Sequence, residues 1–267
     1  MMDINRAISR LVRDGFILVF NQDKLDVVKT AQALADAGIG NMEVTCRIRK
    51  PLDKIRRLKQ TMPDFCTGAA SLVDFPPMLK RHDRQTPDDP LPSVDEAVDA
   101  GADYLVSALN FSETTYERYA GRIALVPGCG SATEIVRQYA NGANLCKLFP
   151  AKQIGGPSYI TAIDPAIHKL ISIVPTGGTN AGNIPDYIEA GVLILGGSFS
   201  LIPPKSLNLI IADQDYDLLS REIKKIKSLI DDCRARQYPG LDFQTSSLEQ
   251  ISKITGRCFN MDSSLMR

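Results

Sequence analysis

The chain lacks most of what common catalytic designs require. Its 267 residues include two histidines, His82 and His168. Two are too few for a multi-histidine metal site, and they argue against a histidine-based triad. It carries no net charge, with 31 Lys and Arg against 31 Asp and Glu. That balance offers no field to attract nucleic acid or an anionic membrane. The six cysteines, at 46, 66, 129, 146, 233 and 258, include no CxxC pair. Four of them lie in apolar, strand-like runs, the pattern of reduced, buried thiols in a cytoplasmic protein. The opening MMDINRAISRLVRDG is charged and amphipathic and lacks the apolar core of a signal peptide. No apolar run reaches membrane-spanning length.

What the chain has is apolar residues, 44% of the total and enough for a large core, in a regular alternation. Strands are predicted over 16–20, 41–46, 66–71, 104–108, 124–128, 145–150, 172–176 and 192–196. Helices are predicted over 24–38, 51–61, 94–101, 112–121, 131–142, 157–169, 184–190 and 214–233. The refrain AGI, AGA, NGA, AGV at residues 37, 100, 141 and 190 marks the joints, where a glycine closes a helix and a strand follows. Eight strands alternating with helices predict an α/β fold with a parallel sheet closed as a (β/α)8 TIM barrel. An open doubly wound sheet is the alternative. The leading INRAISRLVRDG reads as an extra N-terminal helix plugging the bottom of the barrel. The barrel is expected to span residues 1–233. Residues 234–267 form a C-terminal extension packed on or near it, with a short helix at 246–254. The stretch RHDRQTPDDPLPSV, 81–94, rich in Pro and Asp, reads as a long loop after the third strand.

In such a barrel every strand is buried on both faces, so a charge in mid-strand has no cheap route to water. Two cases stand out. In NMEVTCR, Glu43, Thr45 and Arg47 share one parity and Met42, Val44 and Cys46 the other. In LCKLFP, Lys147 shares parity with Leu145 and Phe149. A structural salt bridge between Lys147 and Glu43 is one reading. Against it, a buried ion pair is often no more stable than an apolar pair. A lysine without metal or histidine nearby has one obvious chemistry, a Schiff base with a carbonyl. A carboxylate beside it can shuttle the protons of carbinolamine formation, dehydration and carbon–carbon cleavage. The glycine turns PTGGTN, 175–180, and LGGSFS, 195–200, follow the seventh and eighth predicted strands, where this fold often holds phosphate on backbone N–H groups. PGCGSATE, 127–134, reads instead as turn punctuation with a capping box between Ser131 and Glu134.

EVTCR, GAAS, VPGCGSATE, KLFPAKQIGG, PTGGTNAGNIPDYI and LILGGSFSLIP stand in the order and spacing of the 2-keto-3-deoxy-6-phosphogluconate (KDPG) / 4-hydroxy-2-oxoglutarate (KHG) aldolases. The chain resembles that family of class I pyruvate aldolases from about residue 5 to residue 231, with 81–94 as an insertion. The resemblance implies a (β/α)8 fold, a homotrimer and a small-molecule 2-keto acid or phosphosugar substrate, with no cofactor or metal. It implies Lys147 as the Schiff-base lysine and Glu43 as the general acid/base, acting through a water. Arg47 would hold the pyruvate carboxylate, Thr176 would touch the pyruvate unit, Ser71 would bind substrate, and Phe149 would wall the pocket. Gly177, Gly178, Gly197 and Ser198 would take the phosphate. Some positions depart from the family. Ser71 stands where threonine is common. Ser107–Ala108–Leu109–Asn110 lacks a proline that usually lines the pyruvate pocket. Pro150–Ala151–Lys152 replaces the usual PAE. The expected reaction is cleavage of 2-keto-3-deoxy-6-phosphogluconate to pyruvate and glyceraldehyde 3-phosphate. The alternatives are cleavage of 4-hydroxy-2-oxoglutarate, a non-catalytic phosphosugar-binding barrel, and a phosphosugar epimerase or isomerase that would leave Lys147 without a role.

Overall fold

Short apolar runs rich in β-branched residues become strands, and a computed structural model, which describes residues 2–163, 167 and 170–261, arranges nine of them. They are β1 Phe16–Phe20, β2 Asn41–Thr45, β3 Cys66–Leu72, β4 Tyr104–Ser107, β5 Ala124–Val126, β6 Gly128–Cys129, β7 Cys146–Leu148, β8 Ile173–Pro175 and β9 Leu195–Ser198. Every hydrogen-bonded pair is parallel. Six strands form a sheet in the order β5-β4-β3-β2-β1-β9, and three form a second, β6-β7-β8. The expected fifth strand, 124–128, is divided at Pro127, which has no N–H for a ladder. Its carbonyl still accepts from the Lys147 N–H at 2.8 Å, so the first sheet passes into the second there. At the other edge, Thr179 just past β8 donates from Oγ1 to the Gly196 carbonyl of β9 at 2.7 Å. The result is a parallel α/β fold whose sheet curls around an enclosed interior.

Among the described residues the helices are α1 Ile4–Asp14, α2 Val27–Asp36, α3 Pro51–Thr61, α4 Pro76–Gln85, α5 Val94–Asp99, α6 Glu113–Tyr119, α7 Ala132–Asn141, α8 Gly156–Ala162, α9 Ile184–Glu189, α10 Pro204–Asp213, α11 Tyr216–Gln237 and α12 Leu248–Thr255. Two of them correct the sequence reading. Residues 81–94 are not all loop, because α4 runs through Gln85. It starts on Pro76 and Pro77, which fit a first turn, and it buries no residue. α10 was not expected. It buries Ile210 alone, too little to set a period. The helix expected over 157–169 is seen as α8; residues 164–166, 168 and 169, His168 among them, lie outside the described residues. Among the described residues no helix is long and apolar enough to cross a membrane.

Strand alternation sorts the core into two layers. Met42, Val44, Cys146 and Leu148 face outward into the apolar layer under the helices. Ile17, Ala70, Val126, Leu145 and Val174 face the enclosed interior. At the N-terminal ends of the strands α1 closes this interior with Ala7, Ile8, Leu11 and Val12, all fully buried. Asp3 caps α1 by accepting from the N–H groups of Asn5 and Arg6, and Gly15 ends it at φ 68°. The C-terminal extension packs on the same end and adds Leu241, Phe243, Ile251 and Phe259 to that layer. It leaves the opposite end of the sheet open.

Candidate active site

Lys147 sits in the middle of β7, between Gly128 of β6 and Val174 of β8. Its neighbours Cys146 and Leu148 face the helices, so its side chain projects inward, above Leu145. It is 6% exposed, and Glu43 on β2 is 3% exposed. Lys147 Nζ donates to Glu43 Oε1 at 3.2 Å and lies 5.7 Å from the centre of the Phe149 ring. The parity read in NMEVTCR holds: Glu43 and Thr45 point inward while Met42 and Val44 pack under the helices.

Small residues make room at this level. A side chain on Gly68 would collide with the Tyr104 ring, and one on Gly128 with the Ala108 backbone. On Gly196 it would stand where Thr176 Oγ1 lies. The space left above Lys147 is a pocket of about 330 Å³ at the C-terminal ends of the strands. All ten residues singled out in the sequence line it: Glu43, Arg47, Ser71, Lys147, Phe149, Thr176, Gly177, Gly178, Gly197 and Ser198.

At one side of the pocket, Arg47 Nε donates to Ser71 Oγ at 3.1 Å and to Thr45 Oγ1 at 3.3 Å. Ser71 reaches this position through a bulge. The β3–β4 register slips between Ala69 and Leu72, and Ser71 takes a left-handed φ of 59°. At the other side, Gly177 and Gly178 have φ of 88° and 86°, values an L side chain adopts only under strain. A side chain on Gly178 would strike the stem of Lys152, outside the pocket. Ser198 Oγ lies 2.9 Å from Ser200 Oγ at the turn into a short 3₁₀ segment, Phe199–Leu201.

Sequence reasoning did not find Asn21, Val73, Thr179 or Ser200, which also line the pocket. The available signal was position: each lies at or just beyond the C-terminal end of a strand, where this architecture puts its site. Among the buried thiols, burial pushes Cys46 up to about 12 and raises Cys66 well above its usual range. A hydrogen bond with Cys129, with burial, does the same to Cys146. These thiols do not compete as nucleophiles near neutral pH. No group of three or more His, Cys, Asp or Glu among the described residues is placed to hold a metal ion.

The family model for KDPG and KHG aldolases matches residues 89–220. A 2-dehydro-3-deoxy-phosphogluconate aldolase of Pseudomonas aeruginosa is 31% identical over 204 residues, which is 75% of this chain and 84% of that protein. A KHG/KDPG aldolase of Escherichia coli K12 is 28% identical over 195 residues, 73% of this chain and 81% of that protein. Among solved structures, a KDPG aldolase from Legionella pneumophila, with pyruvate captured as a covalent carbinolamine intermediate, superposes with a TM-score of 0.63. It is 24% identical, and the match covers 84% of this chain and 99% of that one. A thiamine phosphate pyrophosphorylase from Pyrococcus furiosus superposes at 0.57 with 15% identity, so the fold alone does not select the reaction.

Proposed function

The chain belongs to the KDPG and KHG aldolase family, and from that premise we propose how its residues divide the work of cleaving 2-keto-3-deoxy-6-phosphogluconate. The protein is a carbon–carbon lyase of the aldolase type. The observation that carries the reading is one buried lysine, 3.2 Å from one buried carboxylate, under a pocket open to solvent.

Lys147 attacks the C2 carbonyl as the free amine, and the carbinolamine loses water to give an iminium ion. Glu43, through a water, takes the C4 hydroxyl proton as the C3–C4 bond breaks. The bond's electrons move into the iminium and leave the enamine of pyruvate, while glyceraldehyde 3-phosphate departs. Protonation of the enamine at C3 and hydrolysis of the imine return pyruvate and the amine. Arg47 grips the substrate carboxylate with its planar fork. Ser71 and Thr176 contact the pyruvate unit, and Phe149 walls it. Gly177, Gly178, Gly197 and Ser198 receive the phosphate. Pyruvate captured covalently in the Legionella relative supports the imine route.

The test is reduction with borohydride in the presence of pyruvate, followed by peptide mass mapping. A single adduct at Lys147 is expected; an adduct at Lys152 or Lys169, or none, rejects the assignment. A second reading, 4-hydroxy-2-oxoglutarate cleavage, draws on the E. coli relative, whose name carries both activities. Comparing kcat/KM for the phosphorylated substrate, its unphosphorylated counterpart and 4-hydroxy-2-oxoglutarate decides between them. A preference for phosphate supports the glycine turns as its site.

The same reading takes the two sheets as one closed (β/α)8 barrel, with β5 and β6 as its fifth strand and α1 and the extension as additions. It takes residues 1–233 as the barrel and 234–267 as an extension of the same folding unit. It assigns the protein to the cytoplasm, in keeping with free cysteines at 46, 66, 129, 146, 233 and 258. It takes the active species as a homotrimer. Phe75, Met78 and Leu109, all more than half exposed near the pocket, are apolar surface that a subunit contact would cover. Sedimentation measures that state directly.

A further inference from the structure

Three side-chain atoms at the carboxylate side of the pocket form a closed set. Thr45 Oγ1 and Ser71 Oγ are 2.8 Å apart. Arg47 Nε lies 3.3 Å from the first and 3.1 Å from the second. Thr45 is the last residue of β2, on the same inward face as Glu43, and is 1% exposed. Unlike Ser71 and Arg47, it does not line the pocket. It therefore acts on a substrate through its neighbours or not at all.

The donor arithmetic fixes what it does. A hydroxyl has one proton and accepts on two lone pairs, whereas a guanidinium N–H only donates. Arg47 Nε therefore gives its hydrogen to the two oxygens. The bond between the oxygens needs one hydroxyl proton. Among the described residues, Thr45 Oγ1 has no other acceptor in reach, while Ser71 faces the open pocket. With Thr45 as donor, Ser71 Oγ accepts from both Thr45 and Arg47, and its own proton has no protein acceptor. That proton points into the pocket. Arg47 Nε is also committed, which leaves the outer edge of its fork, Nη1 and Nη2, for an incoming carboxylate.

We propose that Thr45 is a positioning residue for the substrate carboxylate: its hydroxyl holds the Arg47 fork and turns the Ser71 proton toward the pocket. The left-handed backbone at Ser71 supports this. By strict alternation Ala70 faces the interior, as it does, and Ser71 would face the helices. The bulge turns Ser71 inward beside Thr45, at a cost of about 1–2 kcal/mol for a non-glycine residue. Strain of this kind persists where surrounding contacts hold it.

The proposal rests on the reading of Arg47 as the carboxylate clamp, and the test separates the two. Thr45→Val removes the hydroxyl and keeps the shape; Thr45→Ser keeps the hydroxyl. For Thr45→Val, KM for 2-keto-3-deoxy-6-phosphogluconate should rise about ten-fold, the low end for a hydrogen bond to charge. The pyruvate concentration that half-saturates borohydride trapping at Lys147 should rise by the same factor, with kcat within about two-fold. Thr45→Ser should stay within about two-fold of wild type on both measures. Ser71→Ala should raise KM similarly, and adding Thr45→Val should raise it by less than the product of the two single effects, because the two oxygens share one Arg47 N–H. Should Thr45→Val not fold, Thr45→Ala takes its place. The proposal is overturned by an unchanged KM in the hydroxyl-free variant, by a Thr45→Ser variant equally impaired, or by fully additive effects. If instead Arg47→Lys leaves KM unchanged, or wild type is not trapped at Lys147, the reading of the site itself has failed.

Discussion

The two ends of the sheet bury charge differently. At the N-terminal end, Asp103 is fully buried and accepts from the Met2 and Thr67 N–H groups and from Lys59 Nζ. Asp14 accepts from the Gly40 N–H and from Asn41. Arg234 donates to the carbonyls of Val12 and Arg13, and its guanidinium lies 3.5 Å from the Phe243 ring centre. Helix α1 and the extension cover this end. At the C-terminal end, Lys147 is buried and, among the described residues, has one acceptor partner, Glu43, while Arg47 is exposed with its Nε committed. Buried polar groups at the covered end meet fixed partners from neighbouring segments, although Arg234 Nε has none among the described residues; at the open end a buried lysine with one partner faces a pocket and is available for chemistry.

Edits at the open end should therefore change turnover and spare stability, and edits at the closed end the reverse. Lys147→Ala carries the largest effect. It removes the covalent route, so kcat should fall by about 10⁴-fold or more and borohydride trapping should vanish. Circular dichroism should still report the native fold. A variant that keeps a hundredth of wild-type turnover would remove the lysine from the mechanism.

Next in size is a chain ending at Gln237. It loses the buried Leu241, Phe243, Ile251 and Phe259. At about 1.5–3 kcal/mol for each side chain, an upper estimate, several kcal/mol of stability should go. Thermal unfolding should fall by about 10 °C or more, with kcat at low temperature within about two-fold of wild type. An unchanged melting temperature would show that the extension adds nothing to the stability of the fold.

Arg47→Lys is expected to lower kcat/KM by about 1.5–3 kcal/mol, since an ammonium cannot offer the paired donors of a guanidinium. The melting temperature should barely move. Normal kinetics would show that the substrate carboxylate sits elsewhere.

The smallest effect belongs to Asp14, whose carboxyl burial pushes up from 3.8 to about 6. The folded chain keeps this proton up to about pH 6, while the unfolded chain releases it near 3.8. Between those values the native state binds more protons, so this contribution to stability is greatest on the acid side and falls as pH rises through 6. Asp14→Asn should then stabilise the protein by about 1 kcal/mol at pH 7.5, less than the full shift, because the amide loses part of its acceptance from Gly40 and Asn41. The gain should shrink toward pH 4. Urea unfolding at both pH values measures it, and equal gains would mean that Asp14 is not protonated in the native state.

The fold was legible wherever a period was written into the chain. α3 runs over Pro51–Thr61 and β1 over Phe16–Phe20, as expected, because each carries a clear period or a bounded apolar run. α4 and α10 were not read as helices: α4 sits on a Pro- and Asp-rich stretch and buries no residue, and α10 buries Ile210 alone. The site was legible as a set of residue types. Charges on the inward parity of two strands, and double glycines just past β8 and within β9, could be read directly. Asn21, Thr179 and Ser200 had nothing but their place beyond a strand end to mark them.

By itself, the sequence determined the strand–helix order, the inward parity of Glu43, Thr45 and Lys147, and the family. Each of these follows from local spacing and residue chemistry. The tertiary structure decided where alternation breaks. Pro127 divides the fifth strand because a ladder needs an N–H that proline does not have. Ser71 turns inward because the β3–β4 register slips, and a register is a relation between two chain segments that neither contains. Glu43 and Lys147, 104 residues apart, became a pair 3.2 Å apart because the curl of the sheet brings β2 and β7 across one interior.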